Sequence, residues 1–199
     1  MKKMLTFVML IITTNCLAQE LQLPNQVKEF LYNNSEYPAG KLNDRAPKGL
    51  EQFGWLTGVW EMTSNAYFQG KWFSGWPSYW AWKYAVDGMV IQDFFYHPKE
   101  NFPPQMKQDF DTFAFNLRVY DEESDRWTVT WIANSGGEHR FVAEKKGNEV
   151  WMTPVNTGEQ KSRIIFSDIT PDSFKWRNES QNEAGEWEYN HYLTGKRIL

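Results

Sequence analysis

From Leu56 onward, apolar and polar residues alternate in segments of about 6–11 residues, each closed by turn formers, the pattern of an antiparallel β-meander. Asp87-Gly88, Gly136-Gly137, Gly147-Asn148, Gly158 and Ala184-Gly185 supply the turns, because Gly and Asn accept the positive φ of tight hairpins. Ten strands result, at roughly 58–68, 79–86, 89–96, 111–120, 125–133, 138–145, 149–154, 160–168, 173–180 and 186–195. No long helical pattern interrupts them, so parallel crossovers are not expected and consecutive strands should pair as hairpins. Ten strands rarely stay open, and closure removes the edges that invite aggregation. The expected fold is all-β, an up-and-down antiparallel barrel.

Upstream, residues 19–54 are polar and poor in strand formers. Asn25 to Asn34 predicts a short helix with Val27, Phe30 and Leu31 on one stripe and Asn25 as its cap. The following SEYPAGKLNDRAPKG predicts a loop that wraps the barrel domain of 55–199. Residues 1–18 have the pattern of a secretory signal: Lys2 and Lys3, an apolar run from Met4 to Ile12, and small residues before a cut near Ala18. The run is too short to span a membrane. Lipid attachment at Cys16 is disfavoured by Asn15, where a small residue is expected. The expected location is therefore secreted or periplasmic. Cleavage would remove the single cysteine, leaving no disulfide, and would move the formal charge from −4 to −6 through loss of Lys2 and Lys3. Basic residues are scattered, which argues against a nucleic-acid partner.

Period two then assigns faces. Trp80, Trp82, Tyr84 and Val86 fall together, as do Phe113, Phe115, Leu117 and Val119, then Trp127, Val129 and Trp131. The last two strands give Phe174, Trp176 and Asn178, then Trp187, Tyr189, His191 and Leu193. A barrel of this size has an interior wider than small side chains fill, so bulky rings plug it or a ligand does. The 11 tryptophans suit both outcomes.

The opening Leu56-Thr57-Gly58-Val59-Trp60 carries a G-x-W at the start of the first strand, and in that place it resembles the calycin superfamily of lipocalins, fatty-acid-binding proteins and nitrobindins. The resemblance implies that Trp60 closes one barrel end beneath a last-strand cation, Lys196 or Arg197. FGWLTGVWEMTS, AVDGMVIQDFF, LRVYDEESDRWTVTW and FSDITPDSFKWRNES are similar to the bacterial DUF1579-type lipocalin-like proteins. That similarity implies the fold and a binding interior and brings no reaction with it.

Polar residues among the rings are the candidate chemistry. His191 is expected inward. A nitrobindin-like protein would offer such a histidine to haem iron, whereas a plain core histidine would bond a neighbouring Tyr or Asn. His139 converges with it if the face shared with Phe141 is inward, and otherwise lies exposed beside Gly136-Gly137. His97, next to Pro98, is expected at the rim or in a loop. Of Gln92 and Asp93 one must face inside; the expectation is Gln92, and an inward Asp93 would need Arg118, Arg163 or Arg177. Trp72, Trp76 and Tyr79, with Gly70, Gly75 and Pro77, are expected on a portal loop, either capping the barrel or offering rings to sugar or lipid. No metal-ligand spacing, nucleophile elbow or phosphate loop occurs. The leading expectation is a small apolar or aromatic ligand held by Trp80, Trp82, Tyr84, Gln92, Phe115, Trp131, His139, Trp176, Asn178, Tyr189 and His191, without a resident cofactor. Haem on His191 and an isomerase- or cyclase-type enzyme using Asp93 or His191 are the alternatives.

Overall fold

The computed structural model describes residues 22–155 and 161–199, so the signal segment with Cys16 and the turn at Gly158 lie outside the described residues. Ten antiparallel strands close into one barrel: β1 (Gly58–Phe68), β2 (Lys71–Ala85), β3 (Val90–His97), β4 (Thr112–Asp121), β5 (Arg126–Ala133), β6 (Glu138–Lys146), β7 (Glu149–Pro154), β8 (Ser162–Ser167), β9 (Ser173–Gln181) and β10 (Trp187–Arg197). The fold is the expected calycin-like meander. Each strand pairs with its sequence neighbours, and β1 pairs with β10 through Trp60↔Arg197 to Ala66↔His191. Three further backbone bonds lengthen that seam, from Val59 N–H to Leu199 O and from the Ile198 and Leu199 N–H groups to Val59 O. Among the described residues no helix is long and apolar enough to cross a membrane.

Gly58 of the G-x-W sits at φ 121°, and a Cβ there would stand 2.1 Å from the Leu199 carbonyl oxygen, so the seam requires glycine. The β2–β3 turn runs through three consecutive positive-φ residues, Val86, Asp87 and Gly88. The lead-in is tied to this turn: Asn43 Nδ2 donates to the Asp87 carbonyl at 2.9 Å, and Tyr84 N–H donates to Ala39 O.

The lead-in helix α1 (Asn25–Phe30) is shorter than expected, and Asn25 is its first residue rather than its cap. It lies outside the barrel, where Val27 and Phe30 pack with Val59, Ala81, Phe94 and Tyr96. A second element, absent from the sequence reading, is a 3-10 turn at Lys48–Leu50 running into α2 (Glu51–Gly54). It carries Leu50, Phe53 and Leu56, all fully buried, into one end of the barrel. Residues expected to form a portal loop instead extend the β1–β2 hairpin, with Trp72 opposite Tyr67 and Trp76 opposite Ser64.

Candidate functional site

Partners directly opposite in a ladder share a face, so the register identifies the inward side chains. At the end closed by α2, the lumen is solid. Phe53 meets Trp127 edge-on at 5.0 Å and Phe166 at 5.7 Å, and Trp80 and Trp82 lie 4.9 Å apart. Trp60, Trp82, Trp127, Phe166 and Phe174 are at most 1% exposed. Trp80 and Trp82, expected to touch a ligand, are therefore core. Tyr84 also faces in, but at this closed end, where its ring packs on the core cluster and its hydroxyl lies close to Gly54.

Above this plug lies a polar group that the sequence reading assigned to the wrong face. Asp93 is fully buried and inward, and Gln92 points outward. Asp93 Oδ1 accepts from Asn116 Nδ2 at 2.6 Å and Trp80 Nε1 at 2.7 Å, while Oδ2 accepts from Arg118 Nε at 2.9 Å. Arg118, 1% exposed, also stacks over Trp82 at 4.4 Å and Phe53 at 4.9 Å. Burial pushes the Asp93 carboxyl above its usual range, and Arg118 with the three donors pulls it back. Three donors and no proton acceptor around the two oxygens suit the carboxylate form. With both oxygens occupied and no exposed surface, Asp93 has no route to a substrate. Its role is to neutralise Arg118.

At the opposite end of the lumen the inward side chains are not sealed. Phe95, Trp131, Phe141, Ile164, Trp176 and His191 face inward yet remain partly exposed, which on an inward face means that solvent reaches them through the barrel mouth. His191 lies opposite Asn178 and 5.2 Å from the Trp176 ring, edge-on. His97, expected at the rim, is the inward end of β3 and only 5% exposed. It stacks on Phe102 at 3.7 Å and faces Trp76 at 6.3 Å with the rings nearly parallel. Burial lowers the pKa of both imidazoles to about 4, and His191 further opposes protonation of His97, so both are neutral at pH 7. His139 lies opposite Trp131 on the same wall, its ring 5.2 Å from the indole, but exposed at the rim.

Two strands depart from the expected faces, with identifiable causes. On β4, Phe115, Leu117 and Val119 point out, each more than 40% exposed, while Ala114, Asn116 and Arg118 point in. The outer face is apolar here because α1 partly covers it: Phe115 lies 4.9 Å from Phe94 and 6.3 Å from Phe30. On β10 the register shifts between Tyr189 and His191, which turns Tyr189 and Trp187 outward. Tyr189 joins Trp72 and Tyr192 in an outer aromatic patch, and Arg163 stacks on Trp187 at 3.8 Å. Gln92 and Phe115 meet instead at a hollow of about 560 Å³ outside the barrel, bounded also by Phe30, Lys83, Phe94 and Phe113.

The seam matches the expectation for Trp60, with Arg197 rather than Lys196 as its cation. The Arg197 guanidinium lies 4.1 Å over the Trp60 ring and donates to the carbonyls of Thr57 and Pro171 at 2.6 Å and to that of Trp55. Lys196 is exposed on the outer face.

This barrel has a solved counterpart. It is similar to an S-type phycobiliprotein lyase from Guillardia theta, with a TM-score of 0.50 and 10% sequence identity over 75% of this chain and 92% of that one. At that identity the likeness shows a shared fold and nothing about chemistry. No protein-family model matches the sequence, and no curated protein matches it.

Proposed function

We propose that the protein binds a small apolar or aromatic molecule in the open half of its barrel, and that it is exported by the apolar run near its start, as a DUF1579-type lipocalin-like protein would be. The observation that carries the binding reading is the contrast along one lumen: rings at the plugged end are sealed, whereas Trp131, Trp176 and Phe95 present inward apolar surface to solvent. Inward apolar surface that stays wet is what ligand burial would remove from water, at about 25 cal/mol per Å². The fold shared with a phycobiliprotein lyase is compatible with a ligand in such a barrel. A neutral naphthalene-type fluorophore tests it: Trp176→Ala and Trp131→Ala should each weaken binding by about tenfold, while Phe115→Ala on the outer face should leave it unchanged. Equal loss in all three variants would place the site elsewhere.

A second reading has one specific support, a neutral inward imidazole at His191. Such a nitrogen suits haem iron. A Soret band on adding haem that disappears in His191→Ala would carry this reading, and an unchanged haem spectrum would exclude it. The enzyme reading loses Asp93 as its acid, since both oxygens of that carboxylate are engaged.

A further inference from the structure

Three side chains near the mouth make the chemistry of the ligand more specific, given the open-half reading above. Among the described residues, and apart from Trp82 Nε1 in the plug, the buried side-chain polar atoms without a hydrogen-bond partner are His97 Nε2 and Trp76 Nε1. Their residues are 5% and 6% exposed and belong to one ring pair, 6.3 Å apart and 14° from parallel. An unpaired buried donor is uncommon in native proteins, since leaving one without a partner forfeits its hydration. The neighbouring Ser64 and Ser78 are equally buried, and their hydroxyls lie 3.4 Å apart. Both sit on the inward faces of β1 and β2, Ser64 directly opposite Trp76.

Charge is absent from this group. Ser64, Trp76, Ser78 and Asn178 cannot ionise near neutrality, and burial keeps His97 and His191 neutral. Deeper in the lumen Arg118 is the nearest cation that an anionic ligand would seek on these inward faces, and Asp93 already engages it from within the core. A carboxylate entering the mouth would lose its hydration and meet no counter-charge. A hydroxyl or amide would instead offer an acceptor to the Trp76 indole N–H and a donor or acceptor to the His97 imidazole, whichever its tautomer requires.

We infer that the barrel selects an uncharged, planar apolar ligand bearing a hydroxyl, carbonyl or amide, whose polar end is held by Trp76 and His97 and whose body lies along Trp176, Trp131 and Phe95. Trp76 and His97 are then specificity-determining residues. This separates the protein from barrels that hold their ligand by an acid group on a free arginine.

The test uses three probes of one shape, naphthalene, 2-naphthamide and 2-naphthoate, titrated calorimetrically at pH 7.5. The amide should bind at least about tenfold more tightly than the carboxylate, the ratio expected when one polar end is hydrogen-bonded and the other is a desolvated charge without a partner. Trp76→Phe removes the indole donor and keeps a ring. It should bring the amide close to naphthalene when both are measured in that variant. His97→Asn should preserve part of the amide preference, and His97→Leu should abolish it. Carboxylate binding equal to or tighter than amide binding overturns the uncharged-ligand inference while the open-half reading stands. Failure of all three probes to bind overturns both. Because the wild-type protein alone decides the first comparison, misfolding of a variant cannot rescue the proposal.

Discussion

The two halves of the lumen are built from the same ten strands and the same inward alternation, yet one is sealed and the other is open. The difference comes from outside the barrel sequence proper. The lead-in delivers Leu50, Phe53 and Leu56 to one end, where they complete a core of Trp60, Trp82, Trp127, Phe166 and Phe174. The hairpin and β3–β4 connection at the other end supply Phe102 against His97 but leave Trp131, Trp176 and His191 reachable. A barrel's capacity to bind is thus decided by what plugs it, and aromatic content alone does not distinguish a filled wall from a usable one.

The largest expected effect is in the sealed half. Asp93→Leu strands Arg118 without a counter-charge and should cost about 3–5 kcal/mol in urea unfolding. Pairing it with Arg118→Met should recover most of that loss, since a well-packed apolar pair replaces the ionic one. If the double variant stays as unstable as the single one, the pair does more than neutralise a buried guanidinium. Phe53→Ala, which removes a ring from the plug, should cost about 3–4 kcal/mol, whereas Trp131→Ala in the open half should cost less than about 1.5 kcal/mol because its ring is already partly wet.

How much of this was legible beforehand follows from where each signal lay. Strand ends were readable because glycine-bearing turns mark them, and β1 and β7 fall at the expected residues. The face of β5 was readable because Thr128 and Thr130 make its other side polar, and that of β2 because Trp80, Trp82 and Tyr84 recur at every second position. On β4 the lumenal side carries Asn116 and Arg118 while the outer side carries Phe115 near Phe30 of α1, so taking the apolar face as inward pointed Phe115 the wrong way. The overlooked signal was the parity of Asn116 and Arg118, which in hairpin register with β3 places both on the wall of Asp93. On β10 a single extra residue inverted the assignment of Tyr189 and Trp187 while leaving His191 correct. The plug was readable in the three-residue spacing of Leu50, Phe53 and Leu56, hidden within a stretch rich in turn formers.

Acid should act on the open half first. The folded-state pKa values of His97 and His191 are about 4 against 6.5 for a free imidazole, so the unfolded chain binds more protons below pH 6.5. Their contribution to stability is complete above about pH 6.5 and is lost as pH falls toward 4, by up to about 3 kcal/mol for His97 and less for the partly exposed His191. Urea midpoints across that range should fall for the native protein and flatten in His97→Leu; equal slopes would mean that other groups dominate. The smallest effect is at the β2–β3 turn, where Val86, 67% exposed, holds φ 50° with a branched side chain. Val86→Gly should raise stability by about 0.5–1 kcal/mol, read as a higher urea midpoint.

The β1–β10 seam joins the two ends of the barrel: Val59 N–H bonds the Leu199 carbonyl, and the Arg197 side chain donates to Thr57 O, 140 residues earlier in the chain. On the ribosome, β1 is made first and waits for its second partner until the final strand has emerged, so two bare edges coexist for nearly the whole of synthesis. Closure is the last and longest-range contact, which places this barrel among slow folders.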